Sequence, residues 1–386
     1  MTDLTSDFSF FIPTRIEYGT GLAKRLGELC RSDGFTSAMV VADPAVMASG
    51  SLDGALQSLQ TAGVSSFVWS EVQPNPTDLD VVAGLAVFHA EQPDVIVGIG
   101  GGSALDTAKG VAVLASNGGT VRDYAGNSPT PRRAWPLVLV PTTAGTGSEV
   151  TANISITDTE THEKLALRNP KNYATLAVLD PSLLSSLPTG AAASAGMDAL
   201  SHAVESYVSL RATPLTKLLA FEATRLIGGS LTEFVADRTD LVHASRMLYA
   251  SCLAGIAISH TGTGNAHAVA RALGGPFGVA HGTGCAVALE PVMRFNSEAV
   301  PEQYAELARA LDVADSHASH EENALRAGRR VGELRHASGL PQRLDLHVSA
   351  DMLPMLAKWT AQNAGPNPRH TSLEDAESLI REVVFA

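Results

Sequence analysis

The stretch DVIVGIGGGSALDTAK, residues 94–109, decides the fold. Asp94–Ile99 reads as a strand, three consecutive glycines follow at Gly100, Gly101 and Gly102, and a helix opens at about Ala104. Glycines at such a turn let the backbone approach a ligand closely, and the helix N-terminus offers unpaired N–H groups to a phosphate. The run is neither a strict GxGxxG nor a P-loop, because the GK[ST] ending is absent. A tight strand–helix turn that binds nothing therefore stands beside the phosphate reading.

Working outward, Ser37–Asp43 and Ser65–Val72 are strand-like, while 54–62 and 78–91 have helical character. Pro136–Val140 is a further buried strand, closed by Pro141. Strands alternating with helices of this length imply a parallel sheet with helices on its faces. Such sheets bind ligands in the crevice beyond the carboxyl ends of their strands. A second polar loop, PTTAGTGSEVT at 141–151, follows the next strand, so two glycine/hydroxyl loops face one crevice. Their hydroxyls and amides suit a pyrophosphate or ribose; a helix start capped by Ser148 or Thr146 is a plainer reading compatible with the first.

The texture changes after Asp180-Pro181. From about Gly190 the chain is rich in Ala and Leu at helical spacing, as in 218–227, 246–258 and 304–311. The expectation is an α/β domain with a Rossmann-like parallel sheet over 1–185 and an all-helical domain over 186–386. The run DSHASHEE, 315–322, reads as an exposed loop with solvated histidines.

Composition narrows the class. The 386 residues carry 27 basic and 40 acidic side chains, a net charge of −13, which argues against a nucleic-acid partner. A hydrophobic share of 45% rules out disorder for the bulk of the chain. Three scattered cysteines make neither a disulfide framework nor a CxxC metal site. The first residues lack a basic segment followed by an apolar run, and no uninterrupted apolar run approaches membrane-spanning length. A cytoplasmic globular protein with no membrane association is the expectation.

In the second half, Asp198 and His202 stand at i, i+4, which places carboxylate and imidazole on one helical face. His267 and His281 follow in NAHAVARALGGPFGVAHGTG. Together the four offer an N₃O set for a divalent first-row metal. Taken singly, each histidine reads as well as a hydrogen-bonded or surface residue.

GIGGGSALDTAK, PTTAGTGSEVT, GMDALSHAVESY and the pair His267/His281, in that order, resemble the iron-containing alcohol dehydrogenase family (group III). The resemblance covers nearly the whole chain, from FFIPTRIEYGTG through VQPNPTDLDV to Asn367-Pro368-Arg369. It implies a two-domain enzyme with NAD(P) on the α/β half, the metal on the helical half, and the reaction in the cleft between them. By motif position, Asp198, His202, His267 and His281 match the metal ligands, with Fe²⁺ the implied ion and Zn²⁺ the alternative. Gly101, Gly102 and Ser103 match the pyrophosphate loop, and Asp106 belongs to the same cofactor-binding motif. Thr142, Thr143, Asn75 and Lys164 fall on positions that touch the nucleotide. Asp43 matches the position facing the adenosine ribose, where a carboxylate accepts from a free 2′-hydroxyl and repels a 2′-phosphate, favouring NAD(H); a simple turn residue before Pro44 is the other reading. The implied reaction interconverts a small alcohol and an aldehyde, or a hydroxy acid and its oxo form. A homodimer is the ordinary expectation.

Two positions depart from the family. Many members carry a His four residues after His267, where this chain has Arg271. Arginine stays protonated and suits a carboxylate, phosphate or phosphonate, so either Arg271 helps hold an anionic substrate or it pairs with an acidic residue structurally. His260 stands where relatives often have Asn, and a hydrogen-bonded structural role is expected for it. Competing readings are a metal-free reductase resembling maleylacetate reductase and a non-catalytic NAD-binding homologue. The retained Asp198/His202 pair tells against the first, and the joint presence of ligands and both phosphate loops against the second.

Overall fold

Alternate residues of the central strands face opposite layers, and that division builds the α/β unit. A computed structural model describes residues 7–126, 128–161 and 163–384. Contacts group the chain into two compact units, Phe11–Leu187 and the stretch from Pro188 onward together with the segment ending at Phe10.

In the first unit the strands are β1 (Arg15–Tyr18), β2 (Ser37–Ala42), β3 (Ser65–Trp69), β4 (Val95–Gly100), β5 (Leu137–Pro141), β6 (Asn153–Thr157), β7 (Lys164–Arg168) and β8 (Leu176–Leu179). Helices α1 (Leu26–Ser32), α2 (Pro44–Ala48), α3 (Asp53–Thr61), α4 (Asp78–Glu91) and α5 (Gly102–Asn117) run between them. Six strands form one parallel sheet in the order β1-β8-β5-β4-β2-β3. Ala38, Val40, Val97, Val138 and Val140 pack under α1 and α3, represented by Leu26, Cys30 and Leu59. Met39, Val41, Ile96, Leu137 and Leu139 pack under α4 and α5, represented by Val81, Phe88 and Leu105. The helices change face between β2 and β4, so the topological switch point lies where Asp43 and Gly101 leave adjacent strands.

The expected strands and helices of this half are present, with small differences at their ends. Two pieces were not anticipated. β1 and β8 are four-residue strands at one side of the sheet, and β6 and β7 form an antiparallel hairpin. The second polar loop does not open a capped α-helix. Ser148–Val150 is a single 3₁₀ turn with Gly147 in the left-handed region (φ 60°) at its cap position, and Thr146 Oγ1 accepts from Ser148 N at 3.2 Å.

The second unit is helical: α6 (Thr189–Val208), α7 (Pro214–Gly228), α8 (Leu231–Ala236), α9 (Leu241–Thr261), α10 (Asn265–Phe277), α11 (His281–Ser297), α12 (Pro301–Ala310), α13 (His320–Ala337), α14 (Leu353–Gln362) and α15 (Leu373–Val384). The run 315–322 is only partly a loop. Ser319 caps α13 through a reciprocal box with Glu322, so His320, Glu321 and Glu322 are already helical. Helix α9 is long and apolar enough to cross a membrane by length and composition, but 67% of its most apolar window is buried inside the protein, as in a core helix.

Candidate metal centre and nucleotide loops

Helix α6 sets the centre. Asp198, His202 and Glu205 recur at i, i+4 and i+7, one face of a 3.6-residue period, and all three are buried. The N-terminus of α10 contributes His267, and α11 begins at His281. His267 Nε2 lies 3.5 Å from Asp198 Oδ1, and His281 Nε2 lies 3.6 Å from the same oxygen. Asp198 Oδ1 and His267 Nε2 are buried, face each other, and lack a hydrogen-bond partner of ordinary geometry. Buried polar atoms without partners cost free energy, and a cation among them removes that cost. The residues therefore fit a divalent ion. His202 stacks on His267, ring centroids 4.6 Å apart and nearly parallel.

The tightest group of donors is not the sequence-derived quartet. Asp198, His267, His281 and Cys285 each offer an atom within 4.8 Å of the others, and His202 stands beside this group. Cys285 follows His281 by one helical turn, with Sγ 3.8 Å from its Nε2. CxxC spacing, the pattern sought among the cysteines, has no bearing on a thiol brought in by a helix.

Glu205 is a second residue missed by sequence reasoning, although its i+7 spacing from Asp198 was readable. Its Oε2 accepts from His267 Nδ1 at 2.7 Å and from Gly264 N at 2.8 Å. Its Oε1 accepts from Ala266 N at 2.7 Å and His267 N at 3.3 Å. One carboxylate thus caps α10 and keeps a proton on His267 Nδ1, so that Nε2 is the nitrogen a metal can take. Burial pushes the Glu205 carboxyl up, but His267 and the amides of Gly264 and His267 outweigh it and hold it below the usual range. Burial opposes ionisation of Asp198 too, and His202, His281 and His267 overcome it and bring its carboxyl well down. Burial raises the Cys285 thiol to about 11, with His267 pulling the other way.

Arg271, one turn after His267, is partly buried and donates to Thr263 Oγ1. His260 has the structural setting expected of it: Nδ1 donates to Ile256 O at 2.8 Å, and the ring stacks on Phe10 at 4.3 Å.

In the α/β unit, the two glycine/hydroxyl loops leave adjacent strands, with Gly100 paired to Pro141. Thr142 N donates to Gly100 O at 2.9 Å. A Cβ on Gly102 would stand 2.8 Å from Thr146 Cγ2, and one on Gly101 3.3 Å from Thr143 Cγ2, so glycine is what lets the loops touch. Gly101 occupies the cap position of α5 with no side-chain cap, leaving its first amides to a ligand. Asp43 caps α2, with Oδ1 accepting from Val46 N at 2.8 Å, while Oδ2 lies 3.1 Å from where a Gly100 Cβ would be. Asn75 Oδ1 accepts from Lys164 Nζ, joining two of the sequence-derived positions. Ser103 Oγ donates to Pro74 O at 2.5 Å. Asp106 braces the loops: Oδ1 accepts from Ser148 Oγ at 2.5 Å and Oδ2 from Ser155 N at 2.9 Å. The fully buried Lys109 donates to Ser148 O, Ser148 Oγ, Thr151 Oγ1 and Asn153 O. Beside it Glu149 is buried with Oε1 unpartnered, and burial raises its carboxyl to about 7 against the pull of Lys109.

Known proteins resemble this chain in sequence and fold. The family described as iron-containing alcohol dehydrogenase matches residues 13–181, and the C-terminal part of the Fe-containing alcohol dehydrogenase family matches 192–384. The 1,3-propanediol dehydrogenase of Klebsiella pneumoniae is 36% identical over 97% of this chain and 98% of its own. The crystal structure of a 1,3-propanediol oxidoreductase superposes with a TM-score of 0.94 at 36% identity, covering 98% of this chain and all of that one. Sulfoacetaldehyde reductase from Bifidobacterium kashiwanohense, solved with NAD⁺, gives 0.90 at 26% identity over 99% and 100%. By these matches across nearly its whole length, the chain belongs to the iron-containing alcohol dehydrogenase family, oxidoreductases that act on alcohols and aldehydes with NAD.

Proposed function

We propose that this chain interconverts a small primary alcohol and its aldehyde, or a hydroxy acid and its oxo form, with NAD(H) and one Fe²⁺, Zn²⁺ being the alternative ion. The observation that carries the reading is the pair of buried, unpartnered atoms Asp198 Oδ1 and His267 Nε2, with His281 Nε2 within reach. Asp198, His202, His267 and His281 hold the ion. When bound, the metal supplies Lewis acidity to the substrate oxygen, and the nicotinamide supplies or accepts hydride. Glu205 keeps His267 in the tautomer whose Nε2 faces Asp198. The amides that open α5, with Gly101, Gly102 and Ser103, bind the pyrophosphate. Thr142, Thr143, Asn75 and Lys164 line the rest of the nucleotide, Asp106 holds their loops in register, and Asp43 accepts from the ribose hydroxyls. The second carboxylate oxygen of Asp43, which lies beside Gly100, supports NAD(H) over NADP(H).

Arg271 holds an anionic group on the substrate. A partly buried guanidinium one turn from His267 supports this, and a similar protein is named for a sulfonated aldehyde. The working form is a cytoplasmic homodimer, a reading supported by the three scattered cysteines, too few for a disulfide framework, and by the prevalence of two-fold assemblies. Metal content of the purified protein beside His267→Ala tests the core of the reading: near one ion per chain, lost in the variant, supports it. Wild type without metal that still oxidises NADH moves the chain to the metal-free reductases. Turnover of an acidic and a neutral aldehyde by Arg271→Leu tests the anion, and equal losses on both sink it.

A further inference from the structure

A close donor group among the described residues of the helical unit contains a sulfur. We propose that Cys285 ligates the metal of this centre, giving a donor set of carboxylate oxygen, imidazole nitrogen and thiolate in place of nitrogen and oxygen alone. The inference rests on the metal-binding reading above and specifies its chemistry.

Three observations carry it. Cys285 lies one turn beyond His281 on α11, so both side chains leave the same helical face. Its thiol is fully buried, and its Sγ stands 3.8 Å from His281 Nε2 within the group that Asp198 and His267 complete. The spacing also suits a common ion. Metal–nitrogen and metal–oxygen bonds of about 2.05 Å, with a metal–sulfur bond of about 2.3 Å, set tetrahedral N/O donors about 3.3 Å apart and N/S donors about 3.6 Å apart. The corresponding separations here are 3.5 and 3.6 Å for the oxygen–nitrogen pairs and 3.8 Å for the nitrogen–sulfur pair. Each of these three exceeds the tetrahedral value by only a few tenths of an ångström and the other pairs lie within 4.8 Å, so the sulfur is within reach of the ion that Asp198, His267, His281 and the neighbouring His202 would hold.

The step balances simply. The Cys285 S–H bond breaks, its electron pair forms the sulfur–metal bond, and the proton leaves to buffer, with no redox change. Thiolate donors favour softer ions, so the preference shifts from Fe²⁺ toward Zn²⁺ and Co²⁺. A second anionic donor beside Asp198 also lowers the net positive charge that the ion presents to substrate.

Cobalt reconstitution reads the ligand directly. Wild type loaded with Co²⁺ is expected to bind one ion per chain and show a near-ultraviolet sulfur-to-cobalt charge-transfer band. Cys285→Ser should keep the ion and its visible bands but lose that charge-transfer band, whereas Cys30→Ser with Cys252→Ser should keep it. Stoichiometric cobalt without the band in wild type, or a band that survives Cys285→Ser, overturns the sulfur ligand and leaves the metal reading standing. Failure of folded wild type to bind Co²⁺ or Zn²⁺ overturns both. Should Cys285→Ser not fold, zinc-edge X-ray absorption of wild type decides alone: one sulfur at about 2.3 Å supports the proposal, and a shell of nitrogen and oxygen only refutes it.

Discussion

Replacing Glu205 by Gln changes one atom, and the surroundings make that change severe. Four donors converge on the carboxylate, two on each oxygen. An amide in either orientation turns its NH₂ toward two of them, so two charge-assisted hydrogen bonds are lost. At about 1.5–3 kcal/mol for each bond to a charged group, the expected loss of stability is about 3–6 kcal/mol. The effect on the metal is separate. With the amide NH₂ facing His267 Nδ1, the imidazole accepts there and moves its proton to Nε2, the atom that faces Asp198. Loss of such an outer partner lowers metal affinity by about 10–100-fold. Chelator competition for Zn²⁺, run beside thermal unfolding of the metal-free protein, separates the two effects. Metal affinity within a factor of two of wild type in a folded Glu205→Gln protein would refute the tautomer argument and reduce Glu205 to a helix cap.

Gly102→Ala places a methyl 2.8 Å from Thr146 Cγ2 and should raise the Kd for NADH several-fold; Thr146→Ser, which removes that methyl, should restore binding in the double variant, as read by fluorescence titration. Lys109→Met leaves four acceptors, three of them buried, without their shared donor and should cost about 3 kcal/mol or more of stability in denaturant titrations, with weakened nucleotide binding. The raised carboxyl of Glu149 makes the folded protein hold a proton that the unfolded chain releases near pH 4.5. Its contribution is therefore complete below about pH 4.5 and lost as pH rises through about 7. Glu149→Gln should be more stable than wild type above pH 7 by up to about 3 kcal/mol, with the difference fading toward pH 4.5 in melting curves; parallel pH profiles would refute the burial argument.

The sequence carried the architecture because its evidence is local. A strand, three glycines and a helix sit within 94–109, and the i, i+4 spacing of Asp198 and His202 survives in α6 unchanged. The missed strands β1 and β8 are four residues long, too short for a periodic pattern to show, and they gain their identity by pairing, β8 with β5 and β1 with β8. Cys285 and Glu205 escaped for a different reason. One is a thiol without a second cysteine nearby in sequence, and the other is a carboxylate whose partners are three backbone amides and one imidazole, 59 to 62 positions away. Contacts made to main chain leave no trace in side-chain patterns. Asp106 shows the converse: its motif suggests a cofactor contact, and its observed partners are Ser148 and Ser155.

The pairing of β1 with β8 bears on how the chain reaches this fold. Thr14 Oγ1 donates to Ala174 O, 160 positions away, and the ladder from Arg15 to Tyr18 lies against Leu176–Leu179. The first strand made therefore waits for the last one before it has anything to pair with. During synthesis β2 through β5 can assemble while β1 stays in solution, and closing so long a loop is slow even when the final state is stable. A β1 peptide supplied in trans to a chain lacking it would dock against an otherwise finished sheet, which makes this strand a natural split point for complementation.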